Sequence, residues 1–550
     1  MLGKILVLVL SSAMAALGST PPTFRLPDSA KPLAYALKLT IVPERETFEG
    51  IVTIDTQVTR PTDELWLQAL GLTIKEAAFL PQEGAAIPAI PHLEGEDFLG
   101  LALQRTIPAG RGRISIHYSG PLRRPSGPDG THGLFAEQED GLWYVFSQFE
   151  AIAAREAFPC FDEPGFKVPW QVTLRVPRDL VAVANAPETG ETIGEDGLKT
   201  VRFATTKPLP SYLVALGVGP FEIVDAGKAG RQGTPLRILV TKGKRARAAY
   251  AARTLPELFT RIENYLDLPY AYEKLDRLLV PWFPGGMENA GLITYLEDDL
   301  LVDPEDRLSR AFERKFASLP AHEMAHQWFG DLVTMAWWND TWLNESFATW
   351  MARKIENEWR PATDGSGDKA FRLSSKIHER AIHQPVTSPQ AIGEVFDRVA
   401  YFRGANLLAM FEAYLGPAAF QRGVHQYLAG HAYGSATAQD FLWALAAQGD
   451  PALPAAFTTF LDQAGMPTLT AALEASQGNA LLRLDQDLAP PSGDSGTTAG
   501  TWQIPVTLRY AAHGKADQQR FLVGKEPSEI KLPVPAKSAS INNMVKWSPD

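Results

Sequence analysis

The 550 residues are enough for three or four domains of roughly 150 residues each, so the chain is neither a peptide nor one small domain. A formal charge of −11 offers no general attraction for phosphate backbones, which excludes nucleic acid as an expected partner. A hydrophobic content of 45% excludes a mostly disordered chain, and the single cysteine, Cys160, excludes an internal disulfide.

The first residues have the pattern of a secretory signal. Lys4 precedes an apolar run at residues 5–10, and small residues such as Ala13 and Ala15 follow it. The run is shorter than the ~20 residues that a membrane-spanning helix needs. We therefore predict a signal peptide over residues 1–19, a periplasmic or secreted protein, and no integral membrane span in the mature chain. An uncleaved N-terminal anchor is the alternative.

Residues 20–227 are dominated by alternating apolar and polar residues. The alternation is clearest at residues 35–42, 113–118 and 170–176, and it is typical of antiparallel strands with one buried face. A polar, glycine-containing segment follows at residues 227–234, where the period changes. We predict an N-terminal antiparallel β domain that ends at this segment.

Residues 228–467 have a mixed pattern. A strand-like stretch at residues 275–283 leads into a proline and two glycines. Apolar residues recur at helical spacing in residues 247–267, 307–329, 342–359, 398–415 and 438–448. This order predicts a mixed α/β domain that closes with helices.

Alternation returns in residues 468–550, at residues 480–484, 502–510 and 519–523. Short alternating strands of this kind predict a small C-terminal β-sandwich. The three units together predict a multidomain α+β fold. The chain ends after this unit, so both a compact protein and a truncated chain remain open as interpretations.

The strongest chemical signal is His322-Glu-Met-Ala-His326, inside a helical stretch. Four residues turn a helix by about 400°, so both imidazoles lie on one face, one turn apart, and can reach the same ion. Imidazoles at this spacing suit zinc, with Glu323 beside the water as its general base.

A third metal ligand is expected from Glu345, which opens the next helical stretch with 18 residues between it and His326. A catalytic zinc takes three protein ligands and keeps one open position, and a helix, a connection and a second helix fit this spacing. The tryptophan-rich surround, with Trp328 and Trp342, favours burial of these ionisable groups. The alternative is an exposed pair of helices with ordinary surface charges.

With a second motif, Gly285-Gly-Met-Glu-Asn289, the sequence resembles the gluzincin zinc aminopeptidases of the aminopeptidase N (membrane alanyl aminopeptidase) type. The resemblance covers roughly residues 35–465 and implies a thermolysin-like catalytic domain with one zinc ion. It also implies that Glu288 binds the free α-amino group of a peptide. The remaining substrate-binding residues of this motif would be Gly285, Gly286, Met287 and Asn289.

Two further segments resemble the same family. Gln148 and Glu150 stand in the segment of the β domain that projects into the active site, which implies that both bind substrate and that Glu150 is a second anchor for the amino group. Tyr401 opens Tyr401-Phe-Arg-Gly404, which implies a hydroxyl that stabilises the tetrahedral oxyanion. From the residues alone, a polar strand edge and a core tyrosine are the alternatives.

The sequence also departs from the family pattern. Gly286 stands where alanine is common, Ser346 where glycine commonly follows the third ligand, and Arg403 where lysine is usual. Pro320 lies two residues before His322, so it either begins the ligand helix or kinks a longer one. Both arrangements leave His322 and His326 in register.

The resulting hypothesis is a zinc-dependent aminopeptidase that acts on peptides with a free N-terminus, with Glu323 as general base. A related epoxide hydrolase, a thermolysin-like endopeptidase and a non-catalytic binding protein are the alternatives. Cleavage of substrates with a blocked N-terminus would indicate the endopeptidase, and the absence of bound zinc would favour the binding protein.

Overall fold

The structure is a computed structural model that describes residues 21–303, 308–361, 380–465, 467–476, 479–487, 500–512 and 515–535. The predicted signal peptide, residues 1–19, lies outside the described residues. A mostly β N-terminal region is followed by a region rich in helices and then by a group of short strands.

The N-terminal region consists of strands joined by turns. Its strands are β1 (Ala30–Thr40), β2 (Thr47–Val58), β3 (Thr62–Gln68), β4 (Thr73–Pro81), β5 (Ile87–Glu94), β6 (Phe98–Ile107), β7 (Gly110–Pro121), β8 (Gly133–Glu139), β9 (Leu142–Gln148), β10 (Trp170–Pro177), β11 (Val181–Ala184), β12 (Glu188–Ile193), β13 (Leu198–Phe203) and β14 (Leu216–Gly219). Ten form one sheet in the order β12-β13-β10-β1-β2-β7-β4-β5-β6-β3, and β11-β14-β9-β8 form a second. The predicted alternation is present in β10, where Trp170, Val172 and Leu174 are buried.

The prediction that these strands are antiparallel is wrong at one place. β1 and β10 pair in parallel, with Tyr35 opposite Trp170, and the centroids of these two rings lie 3.8 Å apart. β2 follows β1 after a short turn and pairs with it antiparallel. β10 comes only after β9, so no hairpin fixes its direction, and a crossover brings it to the other edge of β1. Alternation indicates which face of a strand is buried, but not the direction of its neighbour.

The second region contains a five-stranded sheet. Its strands are β15 (Glu222–Ala229), β16 (Thr234–Val240), β17 (Leu275–Val280), β18 (Gly286–Met287) and β19 (Leu292–Leu296), in the order β15-β16-β17-β19-β18. Two short strands, β20 (Thr334–Met335) and β21 (Ser435–Ala436), pair separately. The polar segment at residues 227–234, which we predicted to separate two domains, spans the β15–β16 hairpin, so this sheet begins at Glu222.

Helices alternate with these strands and then follow them along the chain. In the described part of the chain they are α1 (Ala249–Leu266), α2 (Glu297–Leu300), α3 (Arg310–His326), α4 (Trp342–Trp359), α5 (Pro389–Glu394), α6 (Gly404–Leu415), α7 (Pro417–Gly430), α8 (Ala438–Ala446) and α9 (Leu453–Leu461). None of these described helices combines the length and the apolar character that crossing a membrane requires.

Apolar periodicity predicted α1, α3, α4, α6 and α8, but not α7 or α9. Gly416, Pro417 and Pro454 at the starts of α7 and α9 are common in loops, although proline also fits the first turn of a helix. Pro320 lies inside α3, and the helix continues on both sides of it. The alternative in which Pro320 begins the ligand helix is therefore wrong. Because proline lacks an N–H, the carbonyl of Phe316 loses its helical donor there.

The C-terminal strands form two small sheets. β22 (Thr468–Ser476), β23 (Asn479–Asp487) and β26 (Ser528–Pro535) form one, and β24 (Ile504–Ala512) pairs with β25 (Lys515–Val523) in the other. The alternating segments of the sequence fall in β23, β24 and β25. The β-sandwich expected here stays a prediction.

Gly291, in the turn before β19, lies where the second N-terminal sheet meets the five-stranded sheet. Its φ is +72°, and a Cβ on Gly291 would lie 2.5 Å from the carbonyl oxygen of Asn185, the residue after β11. The side chain of Asn185 donates to the carbonyls of Leu213 and Ala290 and accepts from the backbone N–H of Ala215. The two backbones therefore approach each other closely because residue 291 has no side chain.

We expect Gly291→Ala to lower the free energy of unfolding by about 2–4 kcal/mol, because it adds left-handed strain and a clash with backbone. Gly233→Ala is the matched control, since Gly233 also has a positive φ, +63°, but its nearest atom is the flexible Lys228 Cδ at 3.9 Å. That control should cost about 1 kcal/mol. Urea unfolding followed by tryptophan fluorescence measures both, and equal losses would contradict the close approach.

Candidate active site

Helices α3 and α4 pack against each other and carry the predicted metal ligands. His322 and His326 lie at the C-terminal end of α3, and Glu345 lies in the first turn of α4. His326 and Glu345 are buried, as are Trp328 and Trp342 in the connection between the helices and at the start of α4. The alternative of exposed helices with ordinary surface charges is therefore wrong.

The three ligand atoms converge on one point. Nε2 of His322 lies 3.0 Å from Nε2 of His326, and Oε2 of Glu345 lies 3.4 Å from the first and 3.5 Å from the second. Oε2 of Glu345 is buried and has no hydrogen-bond partner among the described residues. Two imidazole nitrogens and one otherwise unpaired carboxylate oxygen form a donor set that fits a metal ion.

The other ring nitrogen of each histidine has its own partner. Nδ1 of His326 donates to the carbonyl oxygen of Phe329 at 2.9 Å, which leaves Nε2 available as a ligand. Nδ1 of His322 lies 3.4 Å from the hydroxyl oxygen of Thr349. These contacts fix the orientation of both rings within the protein itself.

Three more carboxylates lie beside the ligand set, those of Glu150, Glu288 and Glu323. Ligand atoms of Glu150, Glu288 and Glu345 lie within 4.8 Å of one another, and so do those of Glu288, Glu323 and His326. One oxygen each of Glu150 and Glu288 is buried without a hydrogen-bond partner in the part of the chain that the structure describes. The structure thus brings three separate sequence motifs into one acidic cluster.

The protonation of this cluster follows from burial. Burial raises the pKa of Glu150, Glu288 and Glu323, and the charge of the neighbouring Glu345 raises each of them further. Burial is the largest single influence and acts to raise the pKa of Glu345, but the charge of His326 and the close approach of both His322 and His326 together outweigh it and lower this pKa to about 2. Glu345 is therefore ionised, as a ligand must be, whereas the other three favour the neutral acid until a cation compensates them.

The hairpin β18–β19 holds the segment Gly285-Gly-Met-Glu-Asn289 beside α3. Gly286 pairs with Tyr295 across the hairpin, and the backbone N–H of Leu296 donates to the carbonyl of Gly285. A Cβ on Gly286 would lie 2.2 Å from Oε1 of Glu323. The carboxylate of Glu323 therefore rests against bare backbone at a position where a larger residue would displace it.

The remaining predicted substrate-binding residues lie around the same hairpin. Nε2 of Gln148 donates to Sδ of Met287 at 3.5 Å, and Nδ2 of Asn289 donates to the hydroxyl of Thr294 at 3.2 Å. The amide oxygens of Gln148 and Asn289 are buried and have no partner among the described residues. Both oxygens could accept hydrogen bonds from a ligand.

Tyr401 lies in a π-helical turn, Val399–Arg403, that leads directly into α6. Its ring is nearly parallel to that of His322, with an interplanar angle of 14° and centroids 5.9 Å apart. Burial raises the pKa of Tyr401, and the charge of Glu345 adds to this, so the hydroxyl stays protonated and can donate. The sequence alternative of a core tyrosine does not account for its place beside a predicted ligand.

Sequence analysis missed Gln327, which ties the two halves of the site together. Its Nε2 donates to the carbonyl of Glu288 at 2.6 Å, and its Oε1 accepts from the N–H of Gly291 and the hydroxyl of Tyr270, both at 3.2 Å. The residue after a predicted metal ligand thus fixes the backbone of the residue predicted to bind the amino group. The position of Gln327 directly after His326 is the one feature of the sequence that could have indicated its role.

Asp331 and Lys167 were missed as well. Burial raises the pKa of Asp331, and neither of its carboxylate oxygens has a partner among the described residues. Nζ of Lys167 donates to the carbonyls of Asp331, Leu332 and Gly434, at 2.7, 2.8 and 3.1 Å. The ammonium group thereby fastens the N-terminal region to the loop that follows α3.

Two family models match the chain. The Peptidase M1 N-terminal domain matches residues 31–213, and the Peptidase family M1 domain matches residues 250–462. The first match includes Gln148 and Glu150. The second includes the hairpin segment, both histidines, Glu345 and Tyr401.

Similar curated proteins include Aminopeptidase M1-C of Oryza sativa subsp. japonica, which is 34% identical over 520 residues, covering 92% of this chain and 57% of that protein. Aminopeptidase M1 of Arabidopsis thaliana is 32% identical over 526 residues, with 92% and 58% covered. Glutamyl aminopeptidase of Mus musculus is 30% identical over 502 residues, with 88% and 52% covered. The chain thus spans little more than half the length of these relatives.

Glu137, on β8, contacts the segment that leads into Gly285. Its Oε2 accepts a hydrogen bond from the N–H of Trp282 at 3.2 Å, and its Oε1 is buried without a partner among the described residues. Burial raises the pKa of Glu137 from 4.5 to about 8, against the effect of the Trp282 bond. Between these two values the folded chain keeps a proton that the unfolded chain loses, so this group lowers stability as the pH rises.

We expect Glu137→Gln to gain stability relative to the natural chain as the pH rises from 5 to 8, by up to about 1.4 kcal/mol per pH unit. Urea unfolding at several pH values in this window measures the difference. Glu94→Gln, an exposed change on β5, is the control and should differ from the natural chain by a constant amount. A constant difference for Glu137→Gln as well would refute the assigned protonation.

Proposed function

Because this chain belongs to peptidase family M1, we propose that it is a zinc aminopeptidase that removes the N-terminal residue from peptides. The observation that carries the proposal is the acidic cluster of Glu150 and Glu288 directly beside the ligand atoms of His322, His326 and Glu345. A metal ligand set alone is common to many hydrolases. A neighbouring pair of buried carboxylates is what a substrate with a free ammonium group requires.

His322, His326 and Glu345 would hold one zinc ion. When bound, zinc supplies Lewis-acid chemistry towards the scissile carbonyl and makes water a stronger acid. Glu323 follows His322 in α3, so its carboxylate lies next to the ligand set and can take a proton from the attacking water. The same carboxylate then gives the proton to the leaving amine, and it is ready for the next cycle.

Glu288 and Glu150 would bind the α-ammonium group of the substrate. Burial disfavours the ionised forms of both carboxyl groups. A cation between them would stabilise the carboxylates by charge attraction and so offset the loss of their hydration. Gln148, Asn289 and the backbone of residues 285–287 would form the walls of this binding site. An internal peptide bond brings no charge to offset these carboxylates, which favours removal of one terminal residue at a time.

Tyr401 would donate a hydrogen bond to the carbonyl oxygen as negative charge develops on it. Its raised pKa keeps the proton on the hydroxyl, and its stacking on His322 places the ring beside the ligand set. A donor fixed in advance contributes a few kcal/mol to the stabilisation of such a transition state.

The finer organisation of the chain belongs to the same proposal. We propose a thermolysin-like catalytic domain over residues 228–467, between a β domain over residues 20–227 and a β-sandwich over residues 468–550. Residues 1–19 would direct export to the periplasm or the medium. The β18–β19 hairpin beside α3 supports the catalytic domain, and the alternating C-terminal strands support the sandwich.

The activity is tested with amino-acid 4-nitroanilides and their N-acetylated counterparts. We expect cleavage of the free amines only, because the ammonium group is the recognised feature. We also expect a chelator to abolish the activity and added zinc to restore it, because the ion supplies the Lewis acid. Equal cleavage of the acetylated set would indicate an endopeptidase. No cleavage of either set by zinc-loaded protein would indicate the epoxide hydrolase or a non-catalytic protein.

The role of Glu323 is tested separately from metal binding. We expect Glu323→Gln to retain one zinc per chain by elemental analysis and to lose about 10³-fold or more in kcat, because the general base is removed while the ligands stay. Glu313→Gln is the control on the same helix, where Glu313 pairs with Arg360 at the surface. Its activity should stay close to that of the natural chain, and an active Glu323→Gln enzyme would rule out this base.

A further inference from the structure

Ser346 follows Glu345 in α4, and its hydroxyl lies against the turn that carries Tyr401. The side chain is fully buried, and its Oγ donates a hydrogen bond to the carbonyl oxygen of Ala400. This carbonyl belongs to the peptide bond between Ala400 and Tyr401. The bond therefore fixes the peptide plane from which the Tyr401 side chain projects.

The π-helical turn leaves this carbonyl without its usual partner. In a regular α-helix the N–H of Gly404 would donate to the carbonyl of Ala400, four residues earlier. Here it donates instead to the carbonyls of Val399 and Tyr401. The hydroxyl of Ser346 donates to this carbonyl in place of that backbone N–H, so the side chain of residue 346 supplies a hydrogen bond to a buried peptide group.

Gly404 provides the space that this hydroxyl occupies. A Cβ on Gly404 would lie 1.8 Å from Oγ of Ser346. The serine and the glycine therefore fit together, on two helices far apart in the sequence. Where a glycine follows the third ligand instead, no side chain at that position could supply the bond.

We propose that Ser346 is a positioning residue that holds the hydroxyl of Tyr401 in place for catalysis. The inference rests on the proposed function of Tyr401 as a donor to the oxyanion. Because Ser346 adjoins Glu345, one helix fixes both a metal ligand and the turn of the donor. The hydrogen bond of Ser346 goes to the turn that carries Tyr401 and not to Glu150 or Glu288, so its loss should affect turnover and leave substrate binding unchanged.

The kinetic test is a double-mutant cycle of Ser346→Ala and Tyr401→Phe with a free-amine 4-nitroanilide. We expect Ser346→Ala to lower kcat by about five- to thirty-fold, as for the loss of one hydrogen bond of about 1–2 kcal/mol, with KM unchanged. In the Tyr401→Phe background the same change should have no further effect, because the hydroxyl that it positions is already absent.

Thr56→Val is the matched control, since the buried hydroxyl of Thr56 also donates to a carbonyl, that of Ile54, on β2. It should lower thermal stability without changing kcat. Provided that the natural chain cleaves the substrate, two results would overturn the proposal. One is an unchanged kcat in Ser346→Ala, and the other is an equal fall in kcat when this change is made in the natural chain and in Tyr401→Phe. Failure of the proposed function would instead be visible as no cleavage by the natural chain.

A second measurement is independent of activity and of metal. In protein labelled with fluorotyrosine, the one ¹⁹F resonance that disappears in Tyr401→Phe is thereby assigned to Tyr401. We expect Ser346→Ala to shift or broaden this resonance and to leave the resonances of tyrosines in the N-terminal region unchanged. An unmoved Tyr401 resonance would overturn the proposal even for an inactive protein.

Discussion

The structure depends on the burial of like charges beside two imidazoles. The carboxyl groups of Glu150, Glu288, Glu323 and Glu345 lie close together in the low-dielectric interior, where ionised carboxylates repel one another and lose their hydration. Such a cluster is stable as neutral acids or when cations enter it. The proposed function supplies two such cations, a divalent metal at the predicted ligands and the ammonium group of a substrate beside Glu150 and Glu288. On that proposal, the unfavourable burial of the carboxylates would favour substrates with a charged terminus.

The surrounding residues keep this cluster from relaxing. Gln327 ties the backbone of Glu288 to α3, and Lys167 binds three carbonyls across the contact between the two regions. Trp328 and Trp342, in and after the connection between α3 and α4, are fully buried and pack into the core beside the predicted ligands. Side chains that are held by several bonds at once have few alternative rotamers, which is the condition for a preorganised site.

Sequence predicted those parts of the site that depend on local geometry. Helical spacing alone places His322 and His326 on one face, and it located α4 at its observed ends. The parallel pairing of β1 with β10 and the partners of Gln327 depend on residues distant in the sequence, so no local pattern contains them. The family resemblance supplied Glu150 and Tyr401, whose chemistry the residues alone left open.

Two of the departures from the family pattern, Gly286 and Ser346, occur where a position without a side chain adjoins a polar group. Gly286 leaves room for the carboxylate of Glu323, and Gly404 leaves room for the hydroxyl of Ser346. In a close-packed interior, a side chain can become larger only where the neighbouring residue is small enough to leave space for it. A glycine beside a polar atom is therefore a point where the position of a functional group can be tuned without altering the predicted ligands themselves. Gly286 lies against Glu323, which follows His322 in α3, and Gly404 lies three residues after Tyr401.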